Sequence, residues 1–311
     1  MKIHIVGAGS IGLLYSVKLM KAGVDVNLWT RSNLQAQKLR DEGLTLVDSG
    51  NRNLMHFEGS SLIVNSIEDL SKQSELQHHA DYIFLMTKQK DINTSLLHVL
   101  GQMSDERTKL ICFQNGVGHI ELIRKELPYV SVYAAITTEG AKRIDDTTVM
   151  HAGHGDTWIG NPGSIVDETD KDLINELEKA GFSTYLSNDI DKMIYRKLII
   201  NAVINPLTAL WRIPNGELLA TSERIHLMRR LYDEGIGVLR ARGIQLDNQL
   251  WNQIVQVCED TSQNTSSMLK DVLQGVSTEI DWINGSIVKM AENIDMNVPT
   301  HDLIWQLIRC M

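Results

Sequence analysis

Cysteine is scarce in this chain. Cys112, Cys258 and Cys310 are three scattered residues among 311, with no C-x-x-C pair. That spacing excludes a disulfide framework and a cysteine-rich zinc site, and it fits a reducing compartment. A basic excess is missing too. Lys and Arg number 30 against 39 Asp and Glu, a formal net charge of −9. The chain therefore lacks the positive surface that nucleic acid or an anionic membrane would demand. No run is long and apolar enough to span a bilayer. The apolar stretch after Met1-Lys2 is too short for a secretory signal, so a cytoplasmic location is expected. Internal repeats and low-complexity segments are also absent. What remains is a composition of 43% hydrophobic residues, ordinary for a globular protein, on a chain long enough for two domains with a sizeable core.

The most informative stretch lies at the start. Lys2-Ile3-His4-Ile5-Val6 reads as a strand and runs into Gly7-Ala8-Gly9-Ser10-Ile11-Gly12, after which Leu13, Leu14, Val17, Leu19 and Met20 recur at helical spacing. Strand, G-x-G-x-x-G turn and helix in that order form the dinucleotide fingerprint. Gly7 permits the tight turn, Gly9 lets the backbone approach a pyrophosphate, and Gly12 lets helix and strand pack closely. The helix start offers N–H groups and a positive dipole end to the phosphates. The plain alternative is a glycine turn needed only for packing.

The second strand, Val24 to Trp29, bears on which dinucleotide is bound. An NAD-binding domain places a carboxylate near the end of this strand, on the ribose hydroxyls. Here the strand ends Trp29-Thr30-Arg31-Ser32-Asn33, and Asp25 lies too early. Arg31 presents a planar guanidinium suited to a 2′-phosphate, so NADP(H) is expected rather than NAD(H). An exposed loop arginine is the plain reading of the same residue.

Residues 1–188 alternate strand-like and helix-like segments, as a doubly wound sheet does. Strands are expected near Leu44-Val47, Leu54-Phe57, Asp81-Met86 and Lys109-Phe113, the last ending at Gln114-Asn115-Gly116-Val117-Gly118. Val132-Ile136, Thr147-His151 and Thr157-Ile159 read as an antiparallel addition, followed by a helix over Lys171-Ala180 and a strand at Phe182-Leu186. From Asp189 helical periodicity dominates. The expected fold class is α/β: an N-terminal Rossmann-type doubly wound sheet followed by an all-helical C-terminal domain. The expected domains are 1–188 for NADP binding and 189–311 for substrate and catalysis. A small-substrate site between two such domains is the expectation, with the nicotinamide end reaching into it.

Within the helical part, Lys197, Asn201 and Asn205 are spaced i, i+4, i+8 in an otherwise apolar stretch. On a helix they share one face, each step rotated by about 40°. A lysine and two asparagines on a buried helix need partners or a cavity. Pro206 then disturbs the helix and frees a backbone group. The same stripe also reads as a structural hydrogen-bond ladder.

These stretches together resemble the ketopantoate reductases (2-dehydropantoate 2-reductases), which reduce ketopantoate to pantoate with NADPH on the route to pantothenate and coenzyme A. The matching segments are the glycine fingerprint, Lys88, Gln114–Gly118, Lys197–Ala209, Pro214–Leu218, Asn264–Asp271 and Thr278–Gly285. They run in order over essentially the whole chain. The resemblance implies Lys197 as catalytic lysine and Glu279 as active-site glutamate. It implies Asn115, Asn201, Asn205, Asn215 and Ser267 as substrate-binding groups. It also implies Lys88, Asn115 and the backbone at Ala141 as cofactor contacts, beside Gly7, Ala8, Gly9, Ser10, Ile11, Gly12 and Arg31. The implied partner is a small 2-oxo acid, with no nucleic acid or membrane, and a homodimer is left open. Two departures stand out. The chain ends a little early at Met311, which suggests a short final helix, and Gln89-Lys90-Asp91 stands where an aromatic is common.

Those residue types suit the chemistry. Hydride transfer to a 2-oxo acid builds negative charge on the carbonyl oxygen, which an ammonium group stabilises and protonates. Neutral amides and Ser267 orient the substrate without adding charge, and Glu279 offsets Lys197. Each residue also has an ordinary reading: Ser267 as a helix cap, Glu279 as a solvated charge, Asn215-Gly216 as a turn, Lys88 as a loop lysine. His151 and His154 have H-x-x-H spacing, but in a glycine-rich segment between strands and with no further ligand cluster evident in sequence, so no metal is expected. His78-His79 reads as a solvated loop pair, and Trp251, Trp282 and Trp305 as core. The competing functions are a reductase of another branched 2-oxo acid and a non-catalytic NADPH sensor. An intact Lys197 and Glu279 argue against the sensor.

Overall fold

The computed structural model of the protein describes residues 1–50, 52–70, 80–165 and 170–311. His78-His79 lies outside them. The chain divides into two compact units: Met1–Gln114 with His119–Ile190, and Asn115–Gly118 with Asp191–Met311.

The first unit is α/β. Its strands are β1 (Lys2–Val6), β2 (Asp25–Thr30), β3 (Leu44–Val47), β4 (Asn53–Phe57), β5 (Ile63–Ser66), β6 (Tyr82–Leu85), β7 (Lys109–Cys112), β8 (Ser131–Thr137), β9 (Gly140–Arg143), β10 (Thr148–Gly153), β11 (Asp156–Gly160) and β12 (Ser183–Leu186). Its helices are α1 (Ser10–Lys21), α2 (Asn33–Glu42), α3 (Ile67–Leu70), α4 (Thr94–Met103), α5 (His119–Glu126) and α6 (Lys171–Lys179). Eight strands form one sheet in the order β12-β11-β8-β7-β6-β1-β2-β5. From β1 the chain winds outward through β2 and β5, then returns to add β6, β7 and β8 on the other side. The reversal falls between β1 and β6, where such sheets open a crevice beyond the strand carboxyl ends.

Three expectations are corrected here. The short strand β5 was not foreseen. It is an edge strand that, among the described residues, pairs only with β2, with Ile63 half exposed, so it lacks the apolar signature of a buried strand. β8 is parallel to β7, not antiparallel, because α5 provides a helical crossover between them. β11 alone runs antiparallel to β8. β3, β4 and β10 leave the main sheet altogether and join β9 in a four-stranded sheet ordered β4-β3-β10-β9. β10 pairs parallel to β3 across a separation of about a hundred residues, a pairing that local periodicity does not register.

The core of this unit is aromatic where α1 packs against the end of β7 and the start of β12. The Tyr15 ring stacks on Phe182 with centroids 4.0 Å apart and meets Phe113 edge-on at 5.3 Å. Its hydroxyl shares a 2.8 Å hydrogen bond with Thr157, so the buried phenol is satisfied.

The second unit contains no strand among its described residues. Its helices are α7 (Ile190–Trp211), α8 (Ser222–Ala241), α9 (Leu250–Asp260), α10 (Ser267–Leu273), α11 (Asn284–Glu292) and α12 (Pro299–Arg309). α7 is the axis. From Leu198 to Ala209 it is almost continuously buried, which explains why its sequence is apolar on every side but one. α12 spans 11 residues and stops at Arg309.

α7 runs unbroken through Pro206. A proline there has no N–H for the carbonyl four residues earlier, and that carbonyl belongs to Ala202. Asn284, fully buried on α11, donates to it through Nδ2 at 3.0 Å. Nδ2 also lies 3.0 Å from Nδ1 of buried His301, whose Nε2 faces the Leu231 carbonyl at 2.9 Å. The network holds together if Nδ1 accepts and Nε2 carries the proton. Burial drops the His301 pKa to about 4, so the ring is neutral at pH 7.

Candidate active site

The glycine turn is built as its residue types require. Gly7 has φ +118°, and a Cβ there would sit 2.7 Å from backbone atoms of Met86 and Thr87. A Cβ on Gly12 would overlap the Gly7 carbonyl oxygen. A Cβ on Gly9 would face open space, so this backbone is approachable from outside. Gly9 is the N-cap of α1, no side chain caps that end, and its first turn holds no acidic residue. The amides of the first turn are thus left for an incoming anion. A nucleotide pyrophosphate fits this cradle.

The surrounding residues come from neighbouring strand ends. Gln35 donates to the Ala8 carbonyl at 2.9 Å and pins the turn. Ser10 Oγ accepts from the Arg143 amide at 3.1 Å, tying the start of α1 to β9, the strand that carries Ala141. Ile11 packs on the core beneath the turn. Arg31 follows β2 with its side chain 79% exposed and Nη1 3.9 Å from Asp91 Oδ1, a long, solvated pair that leaves the guanidinium available. Lys88 follows β6 and stands at the N-cap position of the short 3₁₀ turn Gln89–Asp91. Arg31, Lys88 and the glycine turn therefore lie at the carboxyl ends of three adjacent strands, β2, β6 and β1.

In the second unit, α7 carries Lys197, Asn201 and Asn205 along one face. Lys197 is partly buried. Desolvation pulls its pKa from 10.5 to about 8, against the opposing pull of the Glu279 carboxylate. Glu279 stands at the N-cap position of the 3₁₀ turn Ile280–Trp282, and its Oε2 accepts from Asn115 Nδ2 at 3.2 Å. Asn115 reaches it because the Asn115–Gly118 turn packs on that element: Gly116 has φ +84°, and a Cβ there would overlap the Trp282 carbonyl. A lysine, a carboxylate and an amide are thus gathered from three distant parts of the sequence.

The other amides differ in their settings. Asn205 is buried, and its backbone carbonyl accepts from Thr208 Oγ1 at 2.9 Å. Asn215 is buried at the start of a 3₁₀ segment, with Nδ2 donating to Thr261 at 2.8 Å and Oδ1 making no hydrogen bond among the described residues. Its amide and that of Gly216 bond the Asn264 and Ser262 carbonyls, which draws Asn215 toward the segment leading into α10. The helix cap there is Ser266, not Ser267: Ser266 Oγ accepts from the Leu269 amide at 3.1 Å and lies 2.7 Å from Thr208 Oγ1. Ser267 is exposed and does no capping, so that ordinary reading of it fails.

Two groups escaped the sequence reading. Asn284 satisfies the carbonyl that Pro206 frees, and the signal was the proline itself, which demands a donor from elsewhere. Glu139 is the second. It stands next to His151, with carboxylate oxygen and Nε2 2.5 Å apart, and no sequence spacing announces that pair.

The family model described as ketopantoate reductase PanE/ApbA matches residues 3–164, and its C-terminal counterpart matches residues 189–311. The 2-dehydropantoate 2-reductase of Bacillus subtilis (strain 168) is 34% identical over 295 residues, covering 94% of this chain and 91% of that one. The enzyme of the same name from Archaeoglobus fulgidus is 30% identical over 309 residues, covering 99% and 97%. Among solved structures, the ternary structure of D-mandelate dehydrogenase with NADH and anilino(oxo)acetate superposes with a TM-score of 0.87 at 26% identity, covering 100% of this chain and 98% of that one.

Proposed function

Since the chain belongs to the ketopantoate reductase family, we propose that it reduces 2-dehydropantoate to pantoate with NADPH. Residues 1–188 serve as the cofactor domain and residues 189–311 supply the acid and the substrate's polar partners. The observation that carries this reading is Lys197, a lysine with its pKa lowered to about 8 beside a carboxylate. Such a group is still charged at pH 7, yet it surrenders its proton more readily than an ordinary lysine.

The chain's own residues divide the work. The α1 amides with Gly7, Ala8, Gly9, Ser10, Ile11 and Gly12 receive the pyrophosphate, and Lys88 and the Ala141 backbone flank it. Arg31 takes the 2′-phosphate through its exposed guanidinium. The bound nicotinamide supplies the hydride. Lys197 stabilises the charge that builds on the substrate oxygen and delivers the proton there. Glu279 keeps Lys197 charged and orients the substrate hydroxyl, and Asn115 holds Glu279 in place. Asn201, Asn205, Asn215 and Ser267 bind the carboxylate and hydroxyl. Asn215 Oδ1, which has no hydrogen-bond partner among the described residues, suits a hydroxyl donor.

A second reading is favoured by one observation. D-mandelate dehydrogenase, whose structure this fold resembles, was solved with NADH. An NADH-linked reductase of another branched 2-oxo acid is therefore the competing assignment.

The test follows reduced-nicotinamide absorbance with ketopantoate and 2-oxoisovalerate, each with NADPH and NADH. Turnover with ketopantoate and NADPH alone supports the proposal. Preference for NADH overturns the Arg31 assignment, and preference for the second acid overturns the substrate. Arg31→Asp should raise the KM for NADPH by roughly ten- to a hundredfold, the loss of about one to three kcal/mol from a charge-assisted contact, and leave that for NADH within a few-fold.

A further inference from the structure

We propose that Glu139, His151 and His154 form a binding site for a divalent transition-metal ion of the zinc type. Each contributes one ligand atom, and those atoms all lie within 4.8 Å of one another. Two imidazoles and a carboxylate are a donor set that zinc and its first-row neighbours favour, with the remaining position open to water.

The fold explains how residues of unremarkable spacing meet. β9 and β10 are antiparallel, with His151 opposite Ala141, so Glu139 just before β9 faces the end of β10. The register shifts between His151 and Gly153, and the irregularity turns the chain so that His154 comes back over His151. Their rings meet edge to face with centroids 4.2 Å apart.

The carboxylate is the buried member, with its side chain 1% exposed against 10% for His151. His154 is exposed and its ring takes no hydrogen bond among the described residues. An inner anion, a partly covered imidazole and an outer imidazole free to swing make a site that fills from solvent. Ligand atoms on one zinc sit roughly 2.0–2.2 Å from it, hence roughly 3.3 Å from each other. Glu139 and His151, now 2.5 Å apart, open by about 0.8 Å as the ion replaces the proton between them, and His154 closes by up to about 1.5 Å. The ion would fasten the β9–β10 pair, and β9 is also the strand that Ser10 ties to the glycine turn.

The experiment strips the full-length protein with a chelator and titrates it with Zn²⁺ by calorimetry, and with Co²⁺ by visible absorption. The parent should take up one ion per chain, show Co²⁺ bands and melt at a higher temperature with the metal. His154→Ala, at an exposed position, should leave the metal-free melting temperature unchanged and weaken uptake by roughly tenfold or more. Glu139→Gln keeps the shape and should weaken uptake likewise. His226→Ala, at an exposed histidine on α8, should change nothing. No uptake by the parent, uptake undiminished in both site variants, or an equal loss in His226→Ala would each overturn the proposal.

Discussion

Replacing Lys197 by methionine should make the protein more stable and nearly inactive at once. The lysine pKa falls from 10.5 to about 8, which corresponds to roughly 3 kcal/mol of preference for the neutral amine. The sign is fixed by proton counting. Below pH 8 the amine is charged in both folded and unfolded chains, so the fold carries the whole cost. Between pH 8 and 10.5 only the unfolded chain stays protonated, and stability rises with pH until the cost has gone. Methionine has similar length and no charge, so Lys197→Met should gain up to roughly 3 kcal/mol at pH 7 and progressively less above pH 8. Turnover should fall by roughly 10²–10⁴, the usual worth of a positioned acid, with NADPH affinity kept. In the parent, an acid with pKa about 8 is about nine-tenths charged at pH 7 and one-tenth at pH 9, so kcat/KM should drop nearly tenfold between them. Glu279→Gln removes the charge that holds the pKa up and should move that alkaline limb to lower pH. Thermal melts and pH–rate profiles measure both. A limb near pH 10, or a Lys197→Met protein less stable than its parent at pH 7, would refute the reasoning.

Two further outcomes follow from buried polar groups in the second unit. Asn284→Leu strands the Ala202 carbonyl and the His301 Nδ1, costing about 2–5 kcal/mol. Pro206→Ala returns an N–H to that carbonyl, so the double variant should recover about 1–2 kcal/mol in a double-mutant cycle, whereas strict additivity would deny the link. His301 has its pKa depressed to about 4 from 6.5. Its contribution is complete above pH 6.5 and is lost as pH falls toward 4, about 3 kcal/mol in all. Denaturant melts across that range should show the loss in the parent and a smaller one in His301→Gln.

The Rossmann start, the helical second half and the lysine–asparagine face of α7 could be read directly from the chain. Each is a local pattern: a glycine turn with its own steric demands, a change of hydrophobic period, a polar residue every fourth position on an apolar helix. Membership of the ketopantoate reductases was legible for the same reason, since its motifs recur in order as short contiguous segments. What local pattern could not supply was pairing between distant segments. The separate sheet of β3, β4, β9 and β10 depends on partners about a hundred residues apart. The contacts of Glu279 with Asn115, of Asn284 with the carbonyl exposed by Pro206 and of Glu139 with His151 are likewise made by packing. Sequence determined which groups the chain carries and which elements hold them. Tertiary structure decided which of those groups meet, and how far burial moves their charge, because desolvation and Coulomb forces act through space and not along the chain.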